Sequence, residues 1–127
     1  MIDIESKVVN RVINAVGNQA KVSSMYVNAP SSFPYISIIE SDNYMSNLDN
    51  SDKEKYATVM YEVNVYANDD KKKLTARKLL KIVDTEMYAM NFTRISMTPV
   101  PNLEDATIYR LTARYECVTD GQYTYRR

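Results

Sequence analysis

The sequence contains no histidine and no tryptophan, and its 127 residues include only two glycines and one cysteine. Without histidine the chain lacks the commonest general base and the commonest metal ligand, so Ser-His-Asp and Cys-His catalytic arrangements are excluded. Two glycines leave no Gly-rich loop for a nucleotide phosphate. The single cysteine, Cys117, excludes a disulfide within the chain. We therefore expect a protein that is not an enzyme and that uses no cofactor and no metal.

Charge and hydropathy exclude two further classes of partner. The 16 basic and 16 acidic residues give a formal net charge of zero, whereas a general nucleic-acid binder needs a positive field. No run approaches the ~18 apolar residues of a membrane span. The start, Met1-Ile2-Asp3, lacks the basic region of a signal peptide. We expect one globular domain over residues 1–127, with no nucleic-acid partner and no membrane partner.

Two segments have the apolar period of a helix. The first covers residues 4–16 and ends at Gly17. The second begins at a cap among residues 68–70 and continues to Asn91. Val12 and Leu80 are predicted to face the core. The predicted apolar faces are Ile4, Val8, Val9, Val12, Ile13 and Val16 in the first helix, and Leu74, Ala76, Leu79, Leu80, Val83, Met87 and Met90 in the second.

The remaining apolar segments have the pattern of strands. They cover residues 22–27, 35–40, 56–67, 92–97 and 107–118, and Asp120-Gly121 predicts a hairpin into a short strand at 122–125. The predicted order is α-β-β-β-α-β-β with a possible small strand at the end. The simplest packing is an α+β fold, a mixed and mostly antiparallel sheet with two helices on one face.

The two long strands alternate between an apolar face and a mixed face. Tyr61 and Val63 mark the core side of the first strand, whereas Glu62 lies on its other side together with tyrosines and Met60. In the second strand Arg110 and Arg114 share the mixed face. Opposite charges on such a face predict pairing, either between strands or across a subunit boundary.

Residues 41–55 are mostly polar and have no period, which predicts a long loop. We expect residues 42–55 to be mobile in the isolated subunit and ordered in an assembly. Its acids, Asp42, Asp49, Asp52 and Glu54, leave open a carboxylate metal site, but nothing in a loop holds them in geometry and no calcium-loop spacing is present. Solvated carboxylates are the simpler interpretation.

The chain resembles the tail terminator (tail completion) proteins of long-tailed bacteriophages over nearly its whole length. The resemblance depends on element order and strand patterns, without a chemical signature. The residues that carry it are Phe33-Pro34-Tyr35-Ile36-Ser37-Ile38, Asp42-Asn43, Tyr61-Glu62-Val63-Asn64-Val65-Tyr66-Ala67-Asn68, Asp84, Met87, Asn91-Phe92-Thr93-Arg94, Ile108-Tyr109-Arg110 and Arg114-Tyr115.

This resemblance implies a structural subunit without enzymatic activity. Such a subunit forms a ring, usually a homo-hexamer, that caps the tail tube, stops its polymerisation and joins it to the head. The implied partners are further copies of the chain, the tail tube protein and the head-tail connector proteins. The implied location is the virion tail, and the host cytoplasm during assembly.

Three alternatives stay open on the sequence alone. The first is a head-to-tail connector or head completion protein, the second is a small nucleic-acid-binding α+β module that uses Arg110 and Arg114, and the third is a metal enzyme that uses the loop carboxylates. No catalytic, cofactor or metal residue is assigned. The candidate interaction residues are Asp42, Asn43, Tyr44, Asp49, Asp52, Glu62, Arg110 and Arg114.

Overall fold

The computed structural model describes residues 1–27, 30–48, 54–102 and 105–126. The two α-helices are α1 (Glu5–Val16) and α2 (Lys72–Ala89), and a 3-10 turn, Gly17–Gln19, follows α1. The strands are β1 (Lys21–Ser23), β2 (Tyr35–Leu48), β3 (Glu54–Ala67), β4 (Thr93–Val100), β5 (Tyr109–Thr119) and β6 (Thr124–Tyr125).

The strands form one sheet in the order β1-β2-β3-β5-β4, and β6 pairs with β5. β1 and β2 are parallel, whereas all other pairs are antiparallel. The buried residues of both helices join one core with the apolar face of β3 and β5. An ion pair between Arg11 and Glu86, 2.9 Å long, links the two helices. The α+β fold and the order of elements expected from the sequence are confirmed.

The predicted core faces are confirmed at nearly every position. Val12 and Leu80 are buried, and so is the whole apolar face of β3 from Ala57 to Ala67. Leu74 is the clearest exception, because 66% of it is exposed. It lies in the first turn of α2, where it lines a groove towards β4 rather than the core. Periodicity alone could not show that the helix starts beyond the covered part of the sheet.

The two ends of α2 are held by contacts that differ from the predicted cap. Lys71 occupies the cap position and makes no capping bond, whereas the Asp69 carboxylate accepts a hydrogen bond of 2.8 Å from the Thr75 hydroxyl. At the other end Asn91 adopts a left-handed conformation with φ 68°. Its side-chain amide donates to the Thr124 carbonyl (2.8 Å), so the last strand is tied to the end of the helix.

The prediction of a long loop over residues 41–55 is wrong for the described residues of this segment, 41–48 and 54–55. Residues 41–48 continue β2, and residues 54–55 begin β3. Pairing between these strands satisfies the backbone groups, while exposed side chains on both faces remove the apolar alternation that would have revealed a strand. Asp49 and Asp52 lie outside the described residues.

Other strand boundaries differ at Pro99 and at β1. The fourth strand was predicted to end at residue 97. This end is wrong, because β4 continues through Pro99 to Val100. An edge strand tolerates proline, since its outer side needs no ladder bond. β4 is also irregular between Arg94 and Ser96. β1 is shorter than the predicted 22–27. The hairpin predicted at Asp120-Gly121 is confirmed, with Gly121 at φ +96°.

Candidate interaction surfaces

A continuous hydrogen-bond network crosses the face of the sheet that points away from the helices. The register places Glu62 opposite Arg114 and Asn64 opposite Thr112. The Arg114 guanidinium donates to a Glu62 carboxylate oxygen (3.0 Å), and the Asn64 amide donates to the other (3.2 Å). The Asn64 carbonyl oxygen accepts from the Thr112 hydroxyl (2.7 Å) and from Arg110 Nε (2.9 Å). The mixed charges therefore pair between strands of one chain.

Arg110 is held between two aromatic rings. Its guanidinium lies 5.9 Å from the Tyr26 ring centre and 5.8 Å from that of Tyr66. The Tyr66 hydroxyl donates to the Val27 carbonyl (2.6 Å). Burial raises the pKa of Tyr66, although the positive charge of Arg110 acts in the opposite direction. The chain after β1 thus covers part of this face, and Arg110 fixes it there.

The distal part of the β2–β3 hairpin, residues 42–48 with 54–58, is here called the arm. β3 pairs with β5 only from Ala57 onward, so residues 54–56 pair with β2 alone. β1 pairs with β2 only over residues 35–37. Tyr44 and Met45 are 42% and 54% exposed on the arm, and Asp42 is also exposed. The arm therefore extends past β5 only at residues 54–56, and Tyr44 and Met45 lie in solvent on the edge of β2 that β1 leaves uncovered.

The predicted interaction residues fall into two separate groups. Asp42 pairs with Met60 in the middle of β3, whereas Arg110 pairs with Tyr66 near the end of β3. Asn43 has a role within the chain, because its amide donates to the Ile2 carbonyl (2.8 Å) and to Glu40 (3.0 Å). The structure brings Glu62, Arg110 and Arg114 together and leaves the residues of the arm apart from them.

Asp3, Glu5 and Glu40, here called the acidic end, form a group that sequence reasoning missed. The Asn43 amide donates to both the Ile2 carbonyl and Glu40, which places Glu40 beside the start of α1. Burial raises the pKa of Glu40, the hydrogen bond from Asn43 opposes the shift, and Asp3 and Glu5 raise it further. The presence of Asp3 and Glu5 was already explained by the sequence, because they stand at the start of a helix, where the helix dipole favours acidic side chains. Nothing in the sequence indicated that Glu40, on another element, approaches them.

A groove between α2 and β4, here called the basic groove, was also missed. Residues 71–81 contain six basic residues and no acid. The groove has a volume of about 530 Å³. Asp84 accepts bonds from Arg94 (3.1 Å) and the Tyr115 hydroxyl (2.9 Å). Within the described ranges, no ion pair engages Arg77, Lys78 or Lys81. The lining is Leu74, Arg77, Lys78, Leu80, Lys81, Asp84, Arg94 and Met97.

The described side chains offer little for bond-making chemistry. In the described part of the chain, no group of three or more histidine, cysteine or carboxylate residues is placed to hold a metal ion. Cys117 is buried, and that burial raises the pKa of its thiol to about 12, so the thiol stays protonated near neutral pH. Among the described residues, no helix is both long and apolar enough to cross a membrane.

No protein-family model matches this sequence, and no curated protein matches it either.

Proposed function

We propose that this chain is a structural subunit of a phage or prophage tail. Further copies form a ring, with six as the expected number, that caps the tail tube, stops its polymerisation and joins it to the head. The tail tube protein and the head-tail connector proteins are the proposed partners, and the virion tail is the proposed location. The observation that carries the proposal is the arm.

The arm supports an assembly role because it leaves apolar side chains exposed at an uncovered strand edge. Beyond Ala57 the hairpin has only two strands, and isolated two-stranded hairpins are marginally stable in water. Tyr44 and Met45 are both more than two-fifths exposed, and large exposed apolar groups mark contact surfaces. At its base the Tyr56 ring meets Tyr125 edge to face, with centres 6.2 Å apart, which fixes where the arm leaves the sheet.

Self-association of the purified chain tests the proposal. Sedimentation velocity over a rising concentration series should show a monomer converting to one closed species, and electron microscopy should show rings. The double substitution Tyr44→Ser with Met45→Ser should abolish the ring while the melting temperature changes little, because both side chains are exposed. The matched control is Met25→Ser with Tyr88→Ser, which removes one exposed methionine and one exposed tyrosine outside the arm. A parent chain that stays monomeric up to millimolar concentration overturns the proposal.

A further inference from the structure

We propose that the basic groove binds the acidic end of a second copy of this chain, so that successive copies join head to tail. The inference rests on the ring proposed above and names the two surfaces that meet in it. Neither surface was visible in the zero net charge of the sequence, because the charges of opposite sign are separated in the fold.

The two surfaces lie at different strands of the sheet, because Glu40 is on β2 and Arg94 is on β4, with β3 and β5 between them. Glu40 pairs with Tyr61, and the Tyr61 ring meets Phe92 edge to face with centres 5.6 Å apart. Phe92 follows the C-terminal end of α2, so this end of the helix lies towards the acidic end. The segment from Arg77 to Lys81 lies roughly 12–18 Å back along the helix, at ~1.5 Å per residue. The groove and the acidic end of one chain therefore remain available to different neighbours.

The two surfaces are complementary in charge. The groove carries four cations and one acid (Arg77, Lys78, Lys81 and Arg94 against Asp84), whereas the acidic end carries three carboxylates. Asp84 already accepts bonds from Arg94 and Tyr115, so the remaining positive charge faces outward. Opposite potentials favour this docking, and like charges juxtaposed at an interface cost several kcal/mol.

The groove also has an apolar part. Leu74 is 66% exposed in the groove, and Ile95 on the neighbouring strand is 50% exposed. An apolar patch within a charged rim is the usual composition of a protein interface. A nucleic acid would use the cations but would leave Leu74 unmatched and would meet the Asp84 carboxylate.

This charge distribution also determines the symmetry of the contact. A two-fold axis through the groove would place one basic surface against another, which like-charge repulsion opposes. A contact between the groove of one copy and the acidic end of the next is heterologous. Heterologous contacts form a closed ring when the rotation between neighbours closes.

Two charge-reversal variants test this arrangement by sedimentation velocity. The first, Lys78→Glu with Lys81→Glu, reverses the groove, and the second, Asp3→Lys with Glu5→Lys, reverses the acidic end. Each alone should weaken self-association at least tenfold. An equimolar mixture should restore assembly, because each altered surface then meets its complement on the other variant. Thermal unfolding of each variant checks that the fold is intact.

The control is Lys21→Glu with Arg126→Glu, which changes the net charge as much as the groove variant does but belongs to neither surface, so it should assemble like the parent. Rings that form equally well in all variants overturn this inference and leave the proposed function standing, whereas a monomeric parent overturns both. A 20-nucleotide single-stranded DNA that binds the parent and not the groove variant at 150 mM salt, with no restoration in the mixture, overturns it in favour of a nucleic-acid surface.

Discussion

Glu62 and Arg114 face each other across β3 and β5, and their side chains form an ion pair 3.0 Å long. The Arg114 side chain is 48% exposed, whereas that of Glu62 is 19% exposed. The pair is therefore partly screened by water. The same carboxylate also accepts from Asn64, which connects it to Arg110. The two arginines of this face thus differ in how strongly the rest of the chain holds them.

The first prediction compares these arginines. Arg114→Ala should lower the free energy of unfolding by only about 0.2–1 kcal/mol, since exposed cross-strand pairs contribute little. Arg110→Ala should cost about 1–3 kcal/mol, because it removes a hydrogen bond and contacts with two aromatic rings. Urea denaturation of the monomer measures both. A variant that unfolds like the parent but forms no ring would assign its arginine to a subunit interface instead.

The second prediction concerns two leucines of α2. Leu80→Ala should destabilise the monomer by about 2–5 kcal/mol, because Leu80 is 1% exposed and its truncation leaves a cavity in the core. Leu74→Ala is the matched control and should cost less than about 1 kcal/mol, since Leu74 is mostly in solvent. Chemical denaturation measures the loss of stability in both variants. Equal losses from the two substitutions would mean that the core face of α2 is wrongly assigned.

The third prediction follows from Glu40. Its raised pKa means that the folded chain binds the Glu40 proton more tightly than the unfolded chain does. Stability linked to this group is therefore complete below the ordinary glutamate pKa of 4.5 and decreases as the pH rises through the raised value. Glu40→Gln keeps an acceptor for Asn43 and removes the repulsion from Asp3 and Glu5.

The Gln variant should accordingly be more stable than the parent at pH 7, by no more than about 1 kcal/mol because Glu40 is partly exposed. At pH 3.5 the difference should nearly vanish. Denaturation midpoints at the two pH values measure it, with Glu116→Gln as a control carboxylate on another strand. A variant that is less stable at pH 7 than at pH 3.5, relative to the parent, contradicts the assigned cause.

The fourth prediction concerns the segment that was expected to be a loop. Because β2 pairs with β3 through Asn43 and Met45, amide hydrogens in this stretch should exchange more slowly than in an unstructured peptide. Hydrogen exchange followed by NMR on the dilute monomer measures this directly. Ser31 and Ser32, exposed residues between β1 and β2, give an internal reference for amides outside the sheet. If the Asn43 amide exchanges at the random-coil rate, the hypothesis of a mobile loop is supported and the paired strand is not.

Elements with a buried face were predictable from the sequence, since burial imposes a period. The alternation of apolar residues around Val63 predicted β3. The helical spacing of apolar residues around Val12 and Leu80 predicted the core faces of the two helices. Residues 42–45 of β2 were not predictable as a strand, because their backbone is paired while Asp42, Tyr44 and Met45 are exposed. The basic groove and the acidic end were missed for a different reason. Each combines residues from separate elements, and their proximity depends on how α1, α2 and the sheet pack.

The irregular edge of β4 has a consequence for the solubility of the chain. Open sheet edges recruit strands from any neighbour and can begin amyloid-like stacking. The register shift beside Ile95 and the missing N–H of Pro99 divide the exposed ladder of β4 into pieces of only a few residues. At the opposite edge β1 covers only three residues of β2, and register shifts after Glu40 and Met45 interrupt the rest of that edge. Copies can therefore be crowded together during assembly without indiscriminate sheet extension, so contacts between them are selected by side chains.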